Sequence, residues 1–136
     1  MQHGIVDKLI GDEVMGLYFA ELSPGGRYVD TMVQDARAIL EAVGYGSDDG
    51  PRLEVGIGLN IGDAYVGIVG HEGVRDFTAI GDVVNTAARL QSVATGGQIV
   101  MSEAVAQGAS VTDGEPTTFE LKGKAEPVAA RILTMS

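Results

Sequence analysis

One run constrains this chain most. From Asp76 to Leu90 it reads Asp-Phe-Thr-Ala-Ile-Gly-Asp-Val-Val-Asn-Thr-Ala-Ala-Arg-Leu, a glycine turn leading into a short helix with polar groups on a single face. At about 100° per residue, Asp82, Asn85, Thr86 and Arg89 share one stripe, and Val83, Val84, Ala87, Ala88 and Leu90 fill the other side. An Asn and an Arg four residues apart can aim an amide and a guanidinium fork at the same oxygens, which suits negative charge growing on a phosphorus centre. The same stripe also describes a solvated helix face on which Arg89 pairs with Asp82 or Asn85.

Around this run the punctuation predicts a mixed chain. Val6 to Ile10 and Val14 to Phe19 read as strands flanking a hairpin turn at Gly11-Asp12. Ser23-Pro24-Gly25-Gly26 reads as a loop. Val29, Met32, Val33, Ala36, Leu40 and Val43 then recur at helical spacing up to Gly44, a natural helix-terminating residue. After a connector at residues 46–51, Leu53, Val55, Ile57 and Leu59 alternate with Glu54, Gly56, Gly58 and Asn60, the period of a half-buried strand, with Ala64 to Val69 as its partner. Gln98 to Met101 is a further strand, Ser102 an N-cap for Glu103 to Gln107, and Thr118–Lys122 with Val128–Leu133 a closing pair. Adjacent strand pairs interspersed with helices favour an α+β sandwich with a mostly antiparallel sheet.

Bulk properties narrow the function. The 136 residues, 45% of them hydrophobic, can bury one core, so a single domain over 1–136 is expected. A net charge of -10 disfavours nucleic-acid binding, while local Lys and Arg can still hold a nucleotide. The absence of cysteine excludes disulfides and Cys-based zinc sites and fits a reducing compartment. No apolar run approaches a membrane span and Met1-Gln2-His3 opens no signal-peptide pattern, so no membrane contact and a cytoplasmic setting are expected. Gly56-Ile57-Gly58 continues into strand alternation, which excludes a dinucleotide-binding turn, and neither a P-loop nor an H-E-x-x-H helix occurs. His3 and His71 are isolated and read as surface residues.

Three motifs in order resemble the class III nucleotide cyclases, the adenylate and guanylate cyclases. Gly81-Asp82-Val83-Val84-Asn85-Thr86-Ala87-Ala88-Arg89 is similar to the run that carries the family's transition-state Asn and Arg. Lys8-Leu9-Ile10-Gly11-Asp12 resembles its Lys-x-x-Gly-Asp hairpin, and Val55 to Gly62, followed by Val66 to Gly70, its central hairpin. The resemblance runs from about Val6 to Leu133 and implies a ferredoxin-like, palm-type core. A diguanylate cyclase is a weaker match, because no Gly-Gly-Asp/Glu-Glu-Phe run is present.

The resemblance also implies roles. Asn85 would orient the ribose and Arg89 the α-phosphate, Asp12 would be one of two aspartates holding paired Mg²⁺ or Mn²⁺ ions, and Lys122, in preference to Lys124, would reach the triphosphate. Lys8 resembles the base-reading lysine, and its partner position falls on Thr78, whose hydroxyl can accept from an adenine amino group; together they point to ATP over GTP. Asp76 is an alternative at that place, or simply a loop residue beside Arg75. By spacing alone Asp12, Lys8 and Lys122 also read as ordinary turn and strand-edge residues.

The implied reaction converts ATP to cyclic AMP and pyrophosphate at sites shared between two subunits of a homodimer, or with a related cyclase domain, under a tethered regulatory domain. Family domains begin with a strand carrying Phe-x-Asp, the first metal aspartate, and a helix; Met1-Gln2-His3-Gly4-Ile5 already corresponds to the second strand pair. An N-terminally truncated domain missing its first strand and helix is therefore expected. A non-catalytic cyclase-like nucleotide-binding or dimerisation module is the alternative.

Overall fold

In the computed structural model, residues 4–10, 13–20, 27–71, 74–121 and 124–135 are described, with side-chain surroundings described for these except 4–10, 13, 66–71 and 74–79. Helix α1 (Tyr28–Val43) forms where the apolar spacing predicts it and buries Val29, Met32, Val33, Ala36 and Leu40. It stops at Gly44, whose φ of 112° is left-handed, with the Gly44 amide donating to the Glu41 carbonyl and the Tyr45 amide to that of Leu40, each at 3.0 Å. These crossed bonds satisfy carbonyls that the last turn would otherwise leave open.

The strands before α1, β1 (Gly4–Ile10) and β2 (Glu13–Tyr18), pair antiparallel with Ile10 opposite Glu13. Beyond α1, β3 (Ile57–Leu59) is followed by β4 (Tyr65–His71) and β5 (Val74–Ile80), then α2 (Asp82–Val93), β6 (Gln98–Ser102) and α3 (Glu103–Gly108). Strands β7 (Glu115–Phe119) and β8 (Val128–Thr134) complete the described elements. A four-stranded sheet has the order β3-β6-β8-β7, parallel only between β3 and β6, and β4 with β5 forms a separate antiparallel pair. The expected α+β class with mostly antiparallel pairing is what the chain adopts.

Strand β6 is buried on both sides, and this organises the core. Ile99 and Met101 join α1 in one cluster with Leu59, Val105 and Leu133, while Val100 joins Leu90 of α2, Leu121 and Ala130 in a second. Successive strand residues point to opposite faces, so α1 and α3 cover one face of the sheet and α2 the other. Each such fully buried aliphatic side chain contributes about 1.5–3 kcal/mol.

Several expectations need correction. The alternating segment 53–60 is strand only at Ile57–Leu59, and β3 pairs with β6, not with Ala64–Val69, which from Tyr65 onward lies in β4 opposite β5. Its alternation of apolar residues with glycine marks two covered faces. A Cβ on Gly58 would meet the Gln91 nitrogen at 2.3 Å, and one on Gly56 the Ala94 carbonyl oxygen at 2.8 Å, so helix backbone occupies the side that a half-buried strand would leave to solvent. Before the strand, the Val55 amide donates to the Tyr45 hydroxyl and its carbonyl accepts from Gly97, while Leu53 is exposed. The closing pair begins earlier than expected, at Glu115, and β7 ends at Phe119, with Leu121 beyond it buried in the second core cluster. Segment 21–26, including the expected loop at Ser23–Gly26, lies outside the described residues.

Candidate active site

The site is built on the entry to α2. Strand β5 ends at Ile80, and Gly81, with φ 149° and ψ 174°, reverses the chain into the helix in a conformation open essentially to glycine alone. The Gly81 carbonyl accepts from the amides of Val84 and Asn85 at 3.2 Å, but glycine offers no capping side chain to the first turn. That turn is held from elsewhere. Asn60, just beyond β3, donates its side-chain amide to the Val83 carbonyl at 3.1 Å, and Lys124, in the β7–β8 connection, meets the Asp82 carboxylate at 2.5 Å.

On this frame Asn85 is exposed and Arg89 half-buried, one helical turn apart on the same side. Thr86 departs from the predicted stripe: it is only 4% exposed, and among the described residues its hydroxyl has no hydrogen-bond partner. The buried line of α2 runs through Thr86 and Leu90, four apart, so the residue at the stripe's edge rotates into the core, and Ala88, assigned to the apolar side, is exposed. Asp82 pairs with Lys124, not with Arg89, and among the described residues Arg89 forms no ion pair. An open depression beside this turn is lined by Asp82, Lys124, Ala125, Glu126, Pro127 and Val128.

The other expected site residues fall into three groups. Thr78 lies in β5 opposite Gly67, three residues before the glycine that starts α2, so its strand and the Asn85 helix adjoin. Asp76 and Arg75 belong to the same strand, opposite Val69 and Gly70, which corrects the reading of Asp76 as a loop residue. Lys8 lies in β1 opposite Met15, just after a register shift. Its hairpin is tied to α1, with the Tyr18 hydroxyl donating to the Asp35 carboxylate at 2.6 Å; burial first, and then that carboxylate, raise the Tyr18 phenol well above its ordinary value. Asp12 and Lys122 lie outside the described residues.

Among the described residues no three carboxylate, imidazole or thiol groups cluster to hold a metal. A Mg²⁺ ion that binds through one or two carboxylates plus substrate phosphates needs no such cluster, and the donor type of Asp12 fits it. Sequence reasoning missed Asn60 and the Asp82–Lys124 pair. A polar residue set between Leu59 and Ile61 was the one available sign of the first, and a separation of 42 positions hid the second.

With this geometry the chain has the architecture of a nucleotide-cyclising domain. The family model described as the adenylate and guanylate cyclase catalytic domain matches residues 8–131, and the chain belongs to that family. It is 31% identical over 124 residues to an adenylate cyclase of Anabaena cylindrica, covering 88% of this chain but 24% of that protein. The fold superposes on the crystal structure of the guanylyl cyclase Cya2 with a TM-score of 0.81 and 28% identity, covering 98% of this chain and 71% of that one. It superposes on the guanylate cyclase domain of RhGC from Catenaria anguillulae, determined in complex with GTP, with a TM-score of 0.79 and 25% identity, covering 98% and 74%. The chain thus spans about a quarter of the length of the Anabaena relative. Among the described residues no helix is long and apolar enough to cross a membrane.

Proposed function

We propose that the chain acts as an adenylate cyclase domain, converting ATP to cyclic AMP and pyrophosphate at a site completed by a second copy or a related cyclase domain. The observation that carries this reading is the side of α2 on which Asn85 and Arg89 stand free of the core one turn apart, on a helix whose other side is packed against β3 and β6. In the reaction the ribose 3′-oxygen attacks the α-phosphorus in line, the bond to pyrophosphate breaks, and the 3′-hydroxyl proton is lost to solvent. Asn85 orients the ribose, and Arg89 binds the α-phosphate oxygens, on which charge builds as the bond breaks. Lys122 neutralises the triphosphate. Asp12 would hold Mg²⁺ or Mn²⁺, which supplies Lewis acidity when bound.

Base choice rests on Lys8 and Thr78, an ammonium donor for a ring nitrogen and a hydroxyl acceptor for an exocyclic amine, the pattern adenine presents. The similarity to the Anabaena adenylate cyclase supports this, while the two solved structures described above carry guanylate names, so base choice is argued from these two side chains. Dimerisation is supported by Tyr65 and Ile80, directly opposite each other at the β4–β5 end next to Gly81 and exposed by 71% and 53%. Apolar side chains placed there are what an interface beside the site would cover.

The test is incubation with ATP or GTP and Mn²⁺ over a range of protein concentrations, with cyclic product quantified. Cyclic AMP formation that rises more than linearly with protein concentration and disappears in Asn85→Ala and Arg89→Ala supports the reading. Nucleotide bound without turnover at the highest concentration would instead identify a non-catalytic cyclase-like module.

A further inference from the structure

We propose that Asn60 and Lys124 are positioning residues: together they hold the first turn of α2, and through it set where Asn85 stands. The inference rests on the role proposed for Asn85. The two contacts come from separate parts of the chain and fall on consecutive residues, Asn60 on the Val83 carbonyl at 3.1 Å and Lys124 on the Asp82 carboxylate at 2.5 Å. Asp82 and Val83 precede Asn85 by three and two residues, within the same turn.

The rest of the helix does not need this help. Its later turns are seated on β3 and the residue before it, with Gly58 against Gln91 and Ala87 and Gly56 against Ala94, and Leu90 is completely buried. The first turn starts from a glycine without a capping side chain, so it is the part of α2 with freedom left to lose. Both supports have firm bases. Asn60 directly follows β3, and the Lys124 amide donates to the carbonyl of the buried Leu121 at 3.1 Å.

An ion pair whose side chains are 28% and 71% exposed adds little to global stability, which points to local order as its effect. Lys124 is thereby occupied by Asp82, in keeping with Lys122 as the residue that meets the triphosphate.

The experiment compares the unaltered chain with Asn60→Asp, Asn60→Leu, Lys124→Met and Lys124→Arg, reading amide hydrogen exchange and steady-state kinetics. Asn60→Asp nearly keeps the shape and replaces the donor with an acceptor; Asn60→Leu removes the polar group. Exchange at the Val84 and Asn85 amides should accelerate roughly tenfold in the Asp, Leu and Met variants while α1 amides from Met32 to Leu40 stay unchanged, the sign of a local opening. Lys124→Arg should restore protection. In the same variants kcat should fall roughly tenfold to a hundredfold with nucleotide KM nearly constant, as misplacement of a transition-state group requires.

Unchanged exchange in the first turn, acceleration shared equally by α1, or a loss expressed only in KM would each overturn the proposal. If the unaltered chain forms no cyclic nucleotide, the catalytic reading fails, and the exchange data still decide whether Asn60 and Lys124 hold the turn.

Discussion

Gly58 and Gln91 are in direct backbone apposition: a Cβ built on the glycine would lie 2.3 Å from the Gln91 amide nitrogen. The helix that carries Asn85 and Arg89 therefore rests on bare strand backbone, and its height above the sheet is set by the missing side chain. Gly58→Ala forces α2 outward or β3 away from β6, an overpacking cost of about 1–3 kcal/mol. Urea unfolding should show that loss, and activity should drop more than the unfolded fraction accounts for, because Asn85 moves with the helix. A midpoint equal to that of the unaltered protein would show that the layer can relax freely.

Asn85 and Arg89 should be separable from folding. Asn85 is exposed and Arg89 only half-buried, so alanine at either position should change stability by about 0.5 kcal/mol or less. Loss of a group that meets developing charge should lower kcat by roughly 10²–10³-fold. Arg89→Lys should recover little, because an ammonium cannot reproduce the two-pronged guanidinium contact. Thermal melting together with initial rates decides both points.

Tyr18 ties the β1–β2 hairpin, which carries Lys8, to α1 through Asp35. Its phenol is raised above the usual value near 10, by burial first and then by the Asp35 carboxylate. A folded-state value above the unfolded one means that this contribution is fully present below about pH 10 and is lost as pH climbs beyond it, since the unfolded chain releases the proton first. At neutral pH, Tyr18→Phe should cost about 1–2 kcal/mol through the lost hydrogen bond. The stability gap between the two proteins should narrow progressively as pH rises above about 10, as followed by urea unfolding. A gap that persists unchanged across this range would contradict the burial of a neutral phenol.

Base selection should respond to charge at Lys8. Lys8→Glu replaces an ammonium donor with an acceptor, which suits the N1–H and amino group of guanine and not the ring nitrogen of adenine. The ratio of kcat/KM for ATP over GTP should fall by roughly tenfold or more, about the 1.4 kcal/mol of one hydrogen bond to a charged group. Equal losses for both nucleotides would remove Lys8 from base recognition.

Local signals were legible in the chain. The apolar period of α1, its stop at Gly44, the Ser102 hydroxyl that accepts from the Val105 amide, and the Asn85 and Arg89 pair all depend on residues within a turn or two, whose spacing translates directly into geometry. Segment 53–60 was misread because alternation reports the strand period but not what lies over each face. Only the presence of α2 distinguishes a glycine packed under a helix from a glycine facing water.

Sequence alone determined the family of motifs and the residues offered for phosphate and base, since those are matters of side-chain chemistry at fixed spacing. The tertiary structure alone decided that β3 pairs with β6 across 42 residues, that Thr86 turns inward while Asn85 stays out, and that Asp82 closes on Lys124. Those outcomes depend on which surfaces meet once two cores are filled on opposite faces of one sheet. Packing of that kind is a contest among distant partners, and no short stretch of chain carries its result.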